Sequence, residues 1–256
     1  MNLDEPKKST VALAVANQKG GVGKTVLASN IAIFAESDYR VIVIDLDPQM
    51  NASKVFERRG YDQYSTFDLF QSELDFSEMA LDKNHVIFKA SPDLLNLQDL
   101  DLDIFAKNIQ NLKQQHENLF IVFDTPPVAG ALQIISLICG DYLISPIEMK
   151  EFSIDGVSQI INTFQNVKAE HNPGLQFLGM VASRVKRGSP LQVEILSSLK
   201  ENYENMLFSS EIFERQVIDE AVTSGKAVWE LSKAKDTGKL MKQLLSEVFG
   251  KIESMQ

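Results

Sequence analysis

Three stretches of the chain are apolar without interruption: Val11-Ala12-Leu13-Ala14-Val15-Ala16, Val41-Ile42-Val43-Ile44 and Phe120-Ile121-Val122-Phe123. Runs this short and this uniform suit strands covered on both faces, as in a parallel sheet between helices. After the first run the pattern changes period. Leu27, Ala28, Ile31, Ala32 and Ala35 recur at helical spacing and predict a helix over 25–36. Further strands are predicted over 85–90, 141–145 and 175–181. Further helices are predicted over 100–115, 153–168, 191–203 and 237–252. Gly140, Pro146 and Pro173-Gly174 punctuate the boundaries.

Strands alternating with helices imply βαβ units. The expected fold is α/β: a doubly wound, mainly parallel twisted sheet with helices on both faces and right-handed crossovers. A chain of 256 residues, 44% hydrophobic, is long enough to bury one full core. No linker, repeat or low-complexity tract divides it. The expected organisation is a short polar lead over 1–10 and a single domain over 11–256. The lead carries no apolar signal region, and no apolar run approaches the ~20 residues of a membrane span.

The formal charge of −10 argues against an overall basic nucleic-acid binder. The charge is uneven, however. Arg184, Lys186 and Arg187 form one basic region; Lys226, Lys233, Lys235, Lys239 and Lys242 form another. Gathered on one face, they would make a phosphate-binding patch. The acidic run Asp99, Asp101, Asp103 lacks the glycine of a calcium loop, since Ile104 stands at its sixth position, and reads as a solvated helix start. The one cysteine, Cys139, lies in an apolar run and reads as a buried structural thiol in a reducing compartment.

The strongest chemistry follows the first strand. Asn17-Gln18-Lys19-Gly20-Gly21-Val22-Gly23-Lys24-Thr25 ends as a phosphate-binding loop should. Glycines let backbone N–H groups turn around phosphate oxygens. Lys24 supplies a point charge to the β/γ-phosphates, and the Thr25 hydroxyl can ligate Mg²⁺. A strand before the loop and a helix after it give the anion-binding geometry, with Val26 on the first helical turn. One position is irregular: Gln18 stands where the standard loop has its first glycine, and a second lysine, Lys19, precedes the glycine pair. Two aspartate boxes close apolar strands, Asp45-Leu46-Asp47-Pro48-Gln49 and Asp124-Thr125-Pro126-Pro127. Their carboxylates should therefore emerge at the sheet's ligand-binding edge. Asp124 is the natural outer-shell Mg²⁺ partner of Thr25.

Together these three boxes resemble the deviant Walker A ATPases of the ParA/MinD family, and the resemblance spans nearly the whole chain. The D-P-Q form and the segment from Glu220-Ala221 to Gly225-Lys226 lean towards the ParA partition branch. The resemblance implies a P-loop ATPase domain that binds ATP and Mg²⁺ through residues 19–26 and forms a homodimer on ATP. Lys19 would act in trans on the partner's phosphates. Asp47 would position the attacking water, and Asp45 would support the metal or the loop. A small adaptor protein would stimulate slow hydrolysis, and the dimer would bind non-specific DNA in a cytoplasmic, nucleoid-associated setting. Arg184, Lys186, Arg187, Lys226, Lys233 and Lys235 are the DNA-contact candidates. Glu214 and Val217 stand where relatives carry arginines. The larger partition proteins read operators through an N-terminal helix-turn-helix, whereas here the first strand begins by about Val11.

Two other readings share the loop: a positioning ATPase for a protein cargo, and a MinD-like membrane switch. The switch would need a C-terminal amphipathic helix. The stripe Leu240, Met241, Leu244, Leu245, Val248, Phe249, Ile252 has the period, but Glu247 and Glu253 dilute its polar face, and packing on the domain is expected. Iron–sulfur relatives need bridging cysteines, and Cys139 is alone. Tyrosine-kinase relatives carry a C-terminal tyrosine cluster, and no tyrosine follows Tyr203.

Overall fold

The computed structural model describes residues 9–77, 79, 84–150 and 153–256. Its strands are β1 (Val11–Val15), β2 (Arg40–Asp45), β3 (Asp62–Ser65), β4 (Val86–Lys89), β5 (Leu119–Asp124), β6 (Tyr142–Glu148), β7 (Gln176–Val185) and β8 (Ile212–Phe213). They form one sheet in the order β3-β4-β2-β5-β1-β6-β7-β8, and each pairing is parallel. The helices are α1 (Lys24–Ala35), α2 (Asn51–Arg59), α3 (Leu102–Gln115), α4 (Ala131–Cys139), α5 (Ser153–Glu170), α6 (Pro190–Tyr203), α7 (Gln216–Thr223) and α8 (Lys235–Met255).

The uniform apolar runs are explained by their faces. In β1, Val11, Leu13 and Val15 join a core with α1 and α8. Ala12 and Ala14 of the same strand, with Ala16 beyond it, join a core with α3 and α4 on the other face. β5 divides likewise, Phe120 and Val122 to one side and Leu119, Ile121 and Phe123 to the other. Strand order reverses at β1, whose neighbours are β5 and β6. That switch point is where ligands enter open α/β sheets.

Several elements differ from expectation. β3 has an edge pattern too polar to read as a strand, and β8 is two residues long. The short helices α2, α4 and α7 have no signature in the sequence, because eight or nine residues carry little periodicity. Pro146 does not end β6 but lies inside it, paired with Val181. The Ile144 carbonyl accepts from Ala16 on the β1 side. Two residues on, the missing N–H of Pro146 faces the side β1 has already left, so no ladder bond is lost. β7 runs to Val185 through a bulge at Gly179, whose φ of +139° and approach of Met206 O to 2.7 Å of a would-be Cβ admit only glycine.

The C-terminal stripe packs on the domain as expected. Met241, Leu244, Leu245, Val248 and Ile252 are buried, Leu240 is half-buried, and Phe249 stacks on Phe120 with centroids 5.1 Å apart. No described helix is long and apolar enough to cross a membrane. Asp101 caps α3, accepting from the N–H groups of Asp103 and Ile104, so the acidic run is the helix start expected. Cys139 is only half-buried, against the α3–α4 core. Burial still pushes its thiol up to about 12.

Candidate nucleotide-binding site

Register builds the site. Val15, Asp124 and Asp45 are paired across β1, β5 and β2, so three strand ends finish level. The loop after β1 turns into α1 directly above them. Asn17 pins its start: Nδ2 donates to Ser145 Oγ (3.2 Å) and Pro146 O (3.0 Å), while Oδ1 accepts from the Lys19 N–H (2.9 Å). Gln18 donates to Thr163 Oγ1 on α5 at 2.8 Å. Val22 is buried, whereas Gly20 and Gly21 are exposed. Gly23 is left-handed at φ +92°, and a Cβ there would meet Ser183 Oγ at 2.9 Å. That glycine allows the backbone to lie this close to β7.

Lys24 is buried and its Nζ donates to Lys19 O at 3.0 Å, folding the side chain across the loop. Burial lowers its pKa, and Asp124 and Asp47 oppose that shift. The two carboxylates thus keep the cation in place at the loop's centre. Thr25 Oγ1 donates to Asp124 Oδ2 at 2.7 Å. Asp124 is fully buried, and its Oδ1 has no partner. Its pKa is driven well up, first by desolvation and then by the neighbouring Asp45 charge.

An orphaned buried carboxylate oxygen beside a threonine hydroxyl fits a magnesium site of the P-loop type. No group of three or more His, Cys, Asp or Glu able to hold a metal occurs among the described residues. This is consistent, because such a magnesium takes much of its oxygen shell from phosphates and water. Asp45 is engaged differently. Oδ1 accepts from Asp47 N (3.0 Å), and Oδ2 accepts from Ser53 N and Ser53 Oγ (both 2.7 Å). These bonds tie Asp45 to the turn that carries Asp47 and to the start of α2. Desolvation raises its carboxyl to about 6 against these bonds. Asp47 is buried at the following turn and accepts from Gln49 N at 3.0 Å.

Lys19 lies along α5 of its own chain, and a Cβ on Gly156 would meet its Nζ at 3.4 Å. Val26 lines a small cavity with Gly23, Ser183, Arg184, Phe213 and Glu214. The first basic region makes contacts within the fold. Arg184, at φ +55°, donates to Glu214 at 2.6 Å and to the loop carbonyl of Gly21 at 3.4 Å. Lys186 also pairs with Glu214 at 3.2 Å, and the Arg187 guanidinium lies 4.8 Å over the Phe213 ring. Glu214 therefore offsets part of the positive charge of Arg184 and Lys186. Lys233 pairs with Glu220 at 2.6 Å, while Lys226 and Lys235 are exposed.

Two residues escaped the sequence reading. Ser53 ties the Asp45 carboxylate to the Ala90 N–H at 3.0 Å, and Asn17 joins the loop to β6. Asn17 at least adjoins the motif. Nothing in sequence spacing marks Ser53.

Fold and site together define a P-loop nucleoside triphosphatase. Residues 10–177 match the family model described as an AAA domain. The chain is 34% identical over 258 residues to the IncC protein of Escherichia coli, covering 95% of this chain and 70% of that one. It is 26% identical to the chromosome-partitioning ATPase Soj of Thermus thermophilus, covering 94% and 96%. An ATP complex of a Cyanothece McdA variant superposes with a TM-score of 0.77 at 18% identity, covering 95% and 97%; at that identity the likeness shows the fold alone. The chain belongs to the ParA/MinD family of ATPases.

Proposed function

We propose that this protein is an ATP-dependent dimerising ATPase that partitions plasmid or chromosomal DNA. The observation that supports it most is the convergence of Lys24, Thr25, Asp124 and Asp47 at three level strand ends. The partition names of relatives spanning nearly the whole chain add to it.

In this reading residues 19–26 cradle the triphosphate of ATP. Lys24 leaves the Lys19 carbonyl and moves onto the β/γ-phosphates. Thr25 and Asp124 would hold Mg²⁺. The ion supplies charge neutralisation on the phosphate oxygens. Asp47 orients the attacking water, while Asp45 and Ser53 fix the Asp47 turn. Lys19 swings from α5 to the phosphates held by a second copy, so ATP favours the dimer by differential affinity. Slow intrinsic turnover is raised by an adaptor protein. The ATP dimer binds DNA through phosphate contacts from Lys226, Lys235 and whichever of Arg184, Lys186, Arg187 and Lys233 exchange their carboxylate partners for phosphates. Dimerisation doubles that patch and strengthens it by effective concentration. The setting is the cytoplasm, on the nucleoid.

The experiment is co-sedimentation of the Asp47→Ala protein, loaded with Mg²⁺-ATP, with DNA and separately with anionic liposomes. Retention on DNA that falls steeply with salt and is lost in Lys226→Ala/Lys235→Ala supports partition. Liposome binding without DNA binding would point to a membrane switch, against which the packed face of α8 already weighs. Binding to neither would favour a protein cargo.

A further inference from the structure

Beside the phosphate loop, Arg184 holds a backbone conformation that residues with a side chain rarely adopt. Its φ of +55° lies in the left-handed region. Register explains how it gets there. On one side of β7, Ser183 pairs with Glu148, the last residue of β6. On the other side Ser183 pairs with Ile212 and Val185 with Phe213, so two steps along β7 match one along β8. Arg184 is the extra residue of a β-bulge. Bulges re-aim side chains, and strained residues persist only where their surroundings hold them.

Three elements hold this one. Nη2 donates to Glu214, just past β8, at 2.6 Å, and Nη1 donates to the loop carbonyl of Gly21 at 3.4 Å. Nε is buried and lies 3.6 Å from Glu148 Oε1 at the end of β6. A planar guanidinium can serve several acceptors at fixed angles, which an ammonium on a flexible stem cannot. Ser183 reaches the same loop, its Oγ 2.9 Å from where a Cβ on Gly23 would lie. The end of β7 thus backs the loop at Gly21 and again at Gly23. Ion pairs as open as Arg184–Glu214 add little to stability. They do not account for an arginine kept where glycine would sit without strain.

The contact with Gly21 has a consequence for phosphate. The Gly21 carbonyl and the Val22 N–H belong to one planar trans peptide and point in opposite directions. Holding the carbonyl towards β7 turns the Val22 N–H away from it. Gly20 and Gly21 are exposed and, as glycines, do not fix that peptide by themselves. We propose that Arg184 is a positioning residue for the triphosphate: clamped by Glu214 and Glu148, it keeps the Gly21–Val22 peptide in the orientation that offers its N–H to phosphate. This rests on reading residues 19–26 as the cradle of ATP. It assigns Arg184 to the nucleotide loop and takes it out of the DNA-contact set.

The test compares the unaltered full chain with Arg184→Gly and Arg184→Lys, without DNA or adaptor. Glycine adopts φ +55° freely, so the unfolding temperature of nucleotide-free Arg184→Gly should hold or rise. Its affinity for a fluorescent ATP analogue in Mg²⁺ should nonetheless fall about tenfold, the worth of one hydrogen bond from a charged group. In phosphate release KM for ATP should rise by a similar factor with kcat little changed, the mark of lost binding rather than lost chemistry. Arg184→Lys keeps the charge but not the fork, and its affinity should stay within about threefold of Arg184→Gly. Order parameters of the Gly21 and Val22 amides, measured by ¹⁵N relaxation without nucleotide, should fall in both variants.

Unchanged ATP-analogue affinity in Arg184→Gly would overturn the proposal and leave Arg184 a surface ion pair. Unchanged affinity in Arg184→Lys would overturn it too, because charge alone would then suffice. So would a lower unfolding temperature accompanying the lost affinity, which would mean general loosening of the fold. Failure of the unaltered chain to bind the analogue would sink the nucleotide reading instead, and the order parameters would still show whether Arg184 holds the loop.

Discussion

Ser53→Ala removes one oxygen from the floor of the site, and the structure sets the size of the effect. The hydroxyl donates to the buried Asp45 carboxylate at 2.7 Å and accepts from the buried Ala90 N–H at 3.0 Å. Losing a hydrogen bond to a charged group costs roughly 1.5–3 kcal/mol, and stranding a buried donor costs roughly 1–3 kcal/mol. The Ser53 N–H keeps its own bond to Asp45, so Asp45 is weakened rather than abandoned. Allowing for partial relaxation, the variant should lose about 3 kcal/mol. Urea denaturation of the nucleotide-free protein measures this as a lower midpoint at unchanged slope. Phosphate release should fall too, because Asp45 also holds the Asp47 N–H. A loss below about 1 kcal/mol would refute the claim that Ser53 joins the ends of β2 and β4.

Asp45 makes stability depend on pH in an unusual direction. Its folded value of about 6 lies above the ordinary 3.8, so its contribution is present in acid and is lost as pH rises from about 4 through 6. That amounts to about 3 kcal/mol; Asp45→Asn should remove this component from a pH series of denaturation midpoints. Asp124→Asn relieves a buried charge whose Oδ1 is unpartnered. Its unfolding temperature without nucleotide should hold or rise, while affinity for a fluorescent ATP analogue in Mg²⁺ falls at least tenfold. An unchanged magnesium dependence would exclude Asp124 as the metal's partner. Gly238→Ala gains about 1 kcal/mol of helix propensity, but the new Cβ would lie 2.7 Å from Trp229 Cα. Thermal denaturation should show net destabilisation of about 1–2 kcal/mol; stabilisation would mean that α8 moves freely. Lys19→Gln should bind the ATP analogue yet fail to dimerise in light scattering with Mg²⁺-ATP, and wild-type scattering and turnover would rule out a trans lysine.

The sequence by itself determined the strand–loop–helix carrying Lys24 and Thr25, the aspartates closing two strands, and the βαβ alternation. These are local signals: an apolar run, a glycine pair, a change of period. It did not reveal β3 or β8, because a polar edge strand and a two-residue strand have no pattern of their own and exist only through their neighbours. It misjudged Pro146, since whether a proline breaks a strand depends on which side lacks a partner, and that is fixed by where β1 stops. It offered Asp45 two roles but gave no sign of the serine on α2 that donates to its carboxylate. It placed Arg184, Lys186 and Arg187 in one basic region without showing what they meet. Tertiary structure brought Glu214 from β8's end to Arg184 and Lys186 and laid Arg187 on Phe213. Charge is written residue by residue, but its compensation is settled only when distant strands become neighbours.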